Sequence, residues 1–292
     1  MRIGHHFSIS QSLESAVTKA AAAGANALQI FSASPRMWKA SMPRATAIAD
    51  LVRAREKHDV TPLVIHDNYL INLASSDADI RAKSIAAFRG EIERAVAMGA
   101  EYLVAHPGNY KGTSLQQGIM NFLQGLGEAS QGLSFGKLML LAECTVGSGA
   151  QIGGKLEELG AIREFAPKFT HLPVGFCLDT CHLYGAGYDI TTEETVERTI
   201  AEADRILDLK NVHVIHTNDS KGKLGSHLDR HEHIGKGYIG LNGFRCLLTH
   251  PLLRSKAFIL ETPVDAAGDE QRNIDTLKQL CLKPSTITTK SN

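Results

Sequence analysis

Short runs of consecutive apolar residues recur along the whole chain, and most of them close on a polar side chain. They span residues 3–5, 27–31, 63–66, 102–106, 138–143, 174–179, 212–216 and 257–261. From the third run to the seventh, the starts lie 39, 36, 36 and 38 residues apart. Leu63-Val64-Ile65 and Leu138-Met139-Leu140-Leu141 are apolar on successive rather than alternate positions, as expected of strands covered on both faces of a parallel sheet. The intervals carry helical spacing: Ile85, Phe88, Ile92, Ala95 and Val96 fall on one stripe.

Element ends agree with this rhythm. Gly24 and Gly99 each follow a helical segment and precede an alanine, where a left-handed residue would stop the helix. Thr191-Thr192-Glu193-Glu194 reads as a capping box opening the helix after the sixth run. Eight strand–helix units predict an α/β fold, a single (β/α)8 TIM barrel, with an open doubly wound sheet as the alternative. No linker breaks the pattern, so residues 1–283 are expected to form one domain and residues 284–292 a polar tail.

Composition narrows the class. At 292 residues and 43% hydrophobic content, the chain is long enough to bury about three quarters of its unfolded surface without a staple. Disorder is excluded. The 31 basic residues balance 31 acidic ones, which excludes a binder working through a basic tail and requires any grip on nucleic acid to be a local patch. No apolar run nears the roughly 18 residues of a membrane span, and Met1-Arg2-Ile3-Gly4-His5-His6 lacks a secretory signal. Five cysteines with no Cys-x-x-Cys pair suggest neither a disulfide framework nor a thiolate zinc knuckle. A reducing, cytoplasmic setting is expected.

The residues that close the runs carry the chemistry. Six successive runs finish on His66, His106, Glu143, Asp179, His216 and Glu261, and in a barrel those ends converge at the C-terminal mouth. One such residue alone is ordinarily a solvated loop side chain; six in a row are not. The loops add His182 and the pair Asp229-x-His231. Nitrogen and carboxylate donors without thiolate suit zinc, or manganese and iron as substitutes, better than magnesium or calcium.

Other candidates are weaker. His58, His171, His213 and His250 sit at helix ends or mid-strand, where packing or surface roles are expected. His5 and His6 close the first run and could support the ligands, while His227 and His233 flank the Asp229-x-His231 pair. Cys181, between Asp179 and His182, reads as a small buried filler. Gly147-x-Gly149 is too short a signal for a phosphate loop.

Three longer stretches resemble a known family. His66-Asp67-Asn68-Tyr69-Leu70-Ile71-Asn72-Leu73-Ala74 is similar to the first motif of the endonuclease IV family of apurinic/apyrimidinic endonucleases. Gly175-Phe176-Cys177-Leu178-Asp179-Thr180-Cys181-His182 resembles the second. His216-Thr217-Asn218-Asp219-Ser220-Lys221, continuing to Asp229-Arg230-His231, resembles the third. The similarity runs from Ile3-Gly4 to Glu261-Thr262-Pro263. It implies three zinc ions per chain: one on His66, His106 and Glu143, one sharing Glu143 and taking Asp179, His216 and Glu261, and one on His182, Asp229 and His231. The stretch Cys144-Thr145-Val146-Gly147-Ser148-Gly149 departs from the family's usual Asn-Thr-Ala-Gly-Gln-Gly, and Asn109-Tyr110 follows His106-Pro107-Gly108; both changes bear on loop contacts to DNA.

The implied reaction is hydrolysis of the phosphodiester 5′ to an abasic site, leaving 3′-hydroxyl and 5′-deoxyribose phosphate ends, with removal of 3′-blocking groups as a further activity. A phosphodiester resists attack by water, and zinc lowers the pKa of bound water from about 15.7 to about 7. Glu143, as the bridge, and Glu261, orienting the nucleophile, are the catalytic candidates. The resemblance places Arg36, Tyr69 and Leu70 against the gap in the duplex. Lys221 and Lys223 in the third motif's loop, with Arg230, are candidate phosphate contacts by their charge. The expected partner is double-stranded DNA containing abasic sites, met by a monomer. A metal-dependent sugar isomerase or epimerase on the same barrel is the alternative, and a silent zinc- or DNA-binding protein a more distant one.

Overall fold

The apolar runs become strands because helices cover their outer face while the barrel interior covers the other. The computed structural model describes residues 1–282; the tail expected at residues 284–292 lies outside the described residues. In chain order the first elements are β1 (Arg2–His6), α1 (Leu13–Ala22), β2 (Ala27–Phe31), α2 (Ala45–His58), β3 (Leu63–His66), α3 (Ala78–Ala97), β4 (Tyr102–Ala105), α4 (Leu115–Ser130) and β5 (Met139–Glu143). There follow α5 (Leu156–Phe165), β6 (Val174–Asp179), α6 (Thr180–Ala186), α7 (Glu193–Leu207), β7 (Val212–His216), β8 (Asp219–Ser220), β9 (His231–Glu232), α8 (Gly240–Thr249), β10 (Ala257–Leu260) and α9 (Asp269–Cys281).

Eight parallel strands close in the order β1-β10-β7-β6-β5-β4-β3-β2. Gly4 of β1 faces Ala27 on one side and Ile259 on the other, so the sheet has no edge and the open doubly wound alternative is excluded. The remaining strands, β8 and β9, pair antiparallel in the connection between β7 and α8. Among the described residues no helix is long and apolar enough to cross a membrane.

Some boundaries differ from the sequence reading. β1 extends to His6, whereas β4 stops at Ala105 and β10 at Leu260, so His106 and Glu261 stand one residue beyond the ladder. The capping box of α7 forms between Thr192 and Thr195 rather than Glu194; with Thr192 as the cap, Glu194 is only the second helical residue, and the reciprocal bond requires the third. Gly99 and Gly24 do take left-handed backbone, at φ 66° and 83°. Gly4 is required by proximity, because a Cβ there would lie 2.3 Å from the Ala27 carbonyl oxygen.

Two apolar shells hold the barrel. The outer one packs strand residues such as Leu28, Ile65, Leu103 and Phe258 against helix residues such as Val17, Phe88 and Phe244. The inner one is a plug of Ala27, Val64, Val104, Leu141, Cys177, Val214, Ala257 and Ile259.

Candidate metal centre

Alternate residues of a strand face the same side. Two residues beyond the plug members Val64, Val104, Leu141, Cys177, Val214 and Ile259 stand His66, His106, Glu143, Asp179, His216 and Glu261. Each is therefore carried to the C-terminal mouth by a strand whose preceding inward residue is fixed in the core. The same step leads from Ala27 to Gln29 and from Gly4 to His6, which are paired in the β1–β2 register.

Glu143 is the hub. It is 0% exposed, with Oε2 lying 3.3 Å from His66 Nε2 and 3.1 Å from His106 Nε2. Its Oε1 lies 2.8 Å from His216 Nδ1 and 3.4 Å from His182 Nδ1. Donor atoms converge within 4.8 Å of one another in three sets that match the sequence expectation: His66, His106 and Glu143; Glu143, Asp179, His216 and Glu261; and His182, Asp229 and His231. The last set is completed across the β8–β9 hairpin, since Asp229 Oδ1 is 3.3 Å from both His182 Nε2 and His231 Nε2.

The imidazoles are oriented from behind. His66 Nδ1 donates to the Asp67 carbonyl at 3.0 Å, His182 Nδ1 to the Cys144 carbonyl at 2.9 Å, and His231 Nδ1 to the Glu261 carbonyl at 3.2 Å. His216 is reversed, its Nε2 donating to Gln29 Oε1 at 2.7 Å. In all four rings the proton-bearing nitrogen is occupied and the other faces the cluster, the arrangement a metal ligand needs. His231 Nε2 is moreover a buried atom without a hydrogen-bond partner. The carboxylates are held similarly: Asn218 donates from Nδ2 to Asp179 Oδ2 at 2.7 Å and accepts the Glu261 N–H at 2.7 Å. The nine side chains fit a cluster of divalent cations.

Their electrostatics agree. Burial alone would push the His66 and His231 imidazoles down, yet the carboxylates around them lift the two to about 10 and about 9. Burial would push Glu261 up, but His216 and His66 bring it to about 2. Glu143 is likewise held well below its ordinary value by His216, His106 and His182. Cys181 Sγ lies near donors of Asp179 and His231, but burial pushes this thiol up to about 12, which keeps it protonated and a poor ligand.

A cavity of about 460 Å³ opens over this cluster, walled by Phe31, Asn68, Tyr69 and Val264 among others. Tyr69 is 70% exposed and packs edge-on to Phe31 at 5.3 Å between centroids. Its backbone N–H donates to the Pro35 carbonyl at 3.2 Å, and Asn68 Nδ2 donates to the Met37 carbonyl at 3.1 Å. These bonds bring the loop of Arg36 beside that of Tyr69 and Leu70. Arg36, Lys221, Lys223 and Arg230 are exposed, Lys221 lying 3.9 Å from Glu232.

The remaining histidines take other roles. His250 bonds Glu197 and His213 stacks on Tyr102, while His171 is exposed. His227 donates to the Val146 carbonyl at 2.6 Å, and His233 faces Asp265 at 3.5 Å. His5 bonds Thr262, whereas His6 lies 3.1 Å from Gln29 Nε2. Gln29 and Asn218 escaped the sequence reading, since neither amide shows its partners until the strands surround it.

A family model described as a xylose isomerase-like TIM barrel matches residues 17–280. A probable endonuclease 4 from Solibacter usitatus is 55% identical over 280 residues, spanning 96% of this chain and 97% of that protein. The chain belongs to the endonuclease IV family. Endonuclease IV from Thermus thermophilus superposes with a TM-score of 0.84 at 34% identity, covering 96% of this chain and 98% of that one. A D-psicose 3-epimerase from Clostridium cellulolyticum reaches a TM-score of 0.64 at 17% identity over 96% of each chain, a likeness that shows the shared barrel alone. Endonuclease IV membership thus makes this chain an apurinic/apyrimidinic endonuclease, a hydrolase rather than an isomerase.

Proposed function

We propose that this endonuclease is zinc-dependent, holds three ions on the three donor sets, and cuts duplex DNA on the 5′ side of an abasic nucleotide. Its products are then a 3′-hydroxyl and a 5′-deoxyribose phosphate, and 3′-blocking groups are further substrates of the same centre. The observation that carries this reading is the convergence of nine nitrogen and carboxylate donors, with His231 Nε2 buried and unpartnered among them. Mixed imidazole and carboxylate donors suit zinc, with manganese or iron as substitutes. When bound, zinc lowers the pKa of water and neutralises phosphate charge.

The protein's own groups supply position. Glu143 joins two donor sets through its separate oxygens. Glu261 is a carboxylate at neutral pH and accepts a hydrogen bond from attacking water. An abasic nucleotide lacks stacking and pairing, so drawing it from the duplex costs less than for a normal base. Tyr69, Leu70 and Arg36 then occupy the gap, while Lys221 and Arg230 contact phosphates. A monomer suffices, since every named group belongs to one barrel, and the enzyme works in the cytoplasm, at the nucleoid in a bacterial cell.

Single-turnover incision of a synthetic abasic duplex, with and without chelator and with both new ends mapped, tests this directly. Chelator-sensitive nicking at the 5′ side is expected. Sugar isomerisation without nicking would transfer the site to the alternative reading.

A further inference from the structure

Arg94 and Glu91 lie on the inner side of α3, 5% and 2% exposed, outside the donor sets. Arg94 Nη2 meets Glu91 Oε1 at 2.9 Å. The pair does not stop at the helix. Arg94 Nε donates to Ser32 Oγ at 2.7 Å, the Ser32 hydroxyl donates to Glu91 Oε2, and Arg94 Nη1 donates to the Ala40 carbonyl at 3.3 Å. Ser32 and Ala40 both belong to the connection from β2 to α2 that carries Arg36 and Trp38.

That connection covers residues 32–44, and its only internal backbone hydrogen bond among residues 32–43 runs from Met37 N–H to the Ser34 carbonyl. A loop this long without its own ladder must be fixed by what it touches. One side is held by Asn68 and Tyr69, as described above, and the other by Arg94. Room for the guanidinium depends on Gly90, where a Cβ would lie 2.9 Å from Arg94 Nη1. A buried ion pair is a poor source of stability, because desolvating two charges offsets most of their attraction. Here the arginine's spare donors reach out to one irregular loop.

We propose that Ser32, Glu91 and Arg94 are positioning residues that hold the Arg36–Trp38 loop preformed at the mouth, so that they govern the binding of abasic duplex rather than bond cleavage. This rests on the reading that the loop meets DNA. The Glu91→Gln/Arg94→Met double variant removes both charges, leaving neither buried alone. Ser32→Ala deletes only the shared hydroxyl and serves if the double variant does not fold. Arg94→Lys keeps a charge for Glu91 but cannot fork to Ser32 and Ala40.

Trp38 is the single tryptophan, so its quenching by acrylamide reports the loop without a label. The variants should show greater Trp38 quenching and a KM for abasic duplex raised about tenfold, equivalent to roughly 1.4 kcal/mol. Their kcat, and hydrolysis of the small diester bis(p-nitrophenyl) phosphate, should stay near wild type, the signature of lost uniform binding. Arg94→Lys should fall between. Unchanged quenching and KM would overturn the proposal, as would a parallel loss of diester hydrolysis, which would place the effect at the metal centre. If the wild-type protein failed to nick abasic duplex, the functional reading would fall, while Trp38 quenching would still decide whether these residues order the loop.

Discussion

His216 directs Nε2–H to Gln29 Oε1 at 2.7 Å, while the other end of the same amide donates to Glu261. One neutral side chain on β2 thus sets the ring orientation of one candidate ligand and the carboxylate of another. Gln29→Met keeps the volume and removes both bonds. Its zinc affinity and incision rate should fall by about ten- to a hundredfold, the usual cost of losing such support, with circular dichroism unchanged. Wild-type zinc affinity, measured by competition with a chelator, together with wild-type incision would deny Gln29 this role.

His231→Ala should lose about one equivalent of zinc and most activity while keeping its fold, because Asp229 and His182 alone make a poor site. Elemental analysis of the purified variant reads this out; an undiminished metal content would refute the third donor set.

Metal uptake should expel protons. With His66 lifted to about 10 and His231 to about 9, the metal-free imidazoles are charged at neutral pH and must lose those protons to ligate. Their contribution to the metal-free fold is complete below 6.5 and lost as pH rises through those values. Glu261, lowered from 4.5 to about 2, contributes above 4.5 and loses that contribution as pH falls through its lowered value. The drop in melting temperature on chelation should therefore widen between about pH 6 and about pH 9, as bound metal gains and the empty cluster loses its ion pairs. An equal drop at both values would contradict the coupling.

Tyr69→Ala should weaken binding to abasic duplex, since an aromatic face lost from a nucleic-acid contact costs about 1–3 kcal/mol. Hydrolysis of a small diester should be unaffected. Titration against abasic and intact duplexes distinguishes lesion recognition, which predicts a selective loss, from general DNA affinity.

The barrel and the ring of converging donors were legible because one periodicity encodes both. Val64 and His66, or Leu141 and Glu143, are successive inward residues of a strand, so an apolar run closed by a donor marks core and site together. Gln29 was not legible, since an amide within Ala27–Phe31 has no distinguishing pattern until the neighbouring strands surround it. Asp229-x-His231 read as a donor pair in the sequence, but its grouping with His182 came from resemblance, because the two-residue strands β8 and β9 have no hydrophobic signature. Glu91 and Arg94 read as ordinary charges on α3; only the fold reveals that both are buried beneath a loop far away in sequence.

The pairing of β1 with β10 also bears on synthesis. A ribosome releases the donors in order from His66 to Glu261, and the final one arrives with the strand that seals the cylinder between β7 and β1. Until then Asn218 has no Glu261 amide to accept and His231 has no carbonyl behind it. A chain that has not yet delivered β10 therefore lacks both the closing strand of the barrel and the last carboxylate of the donor cluster.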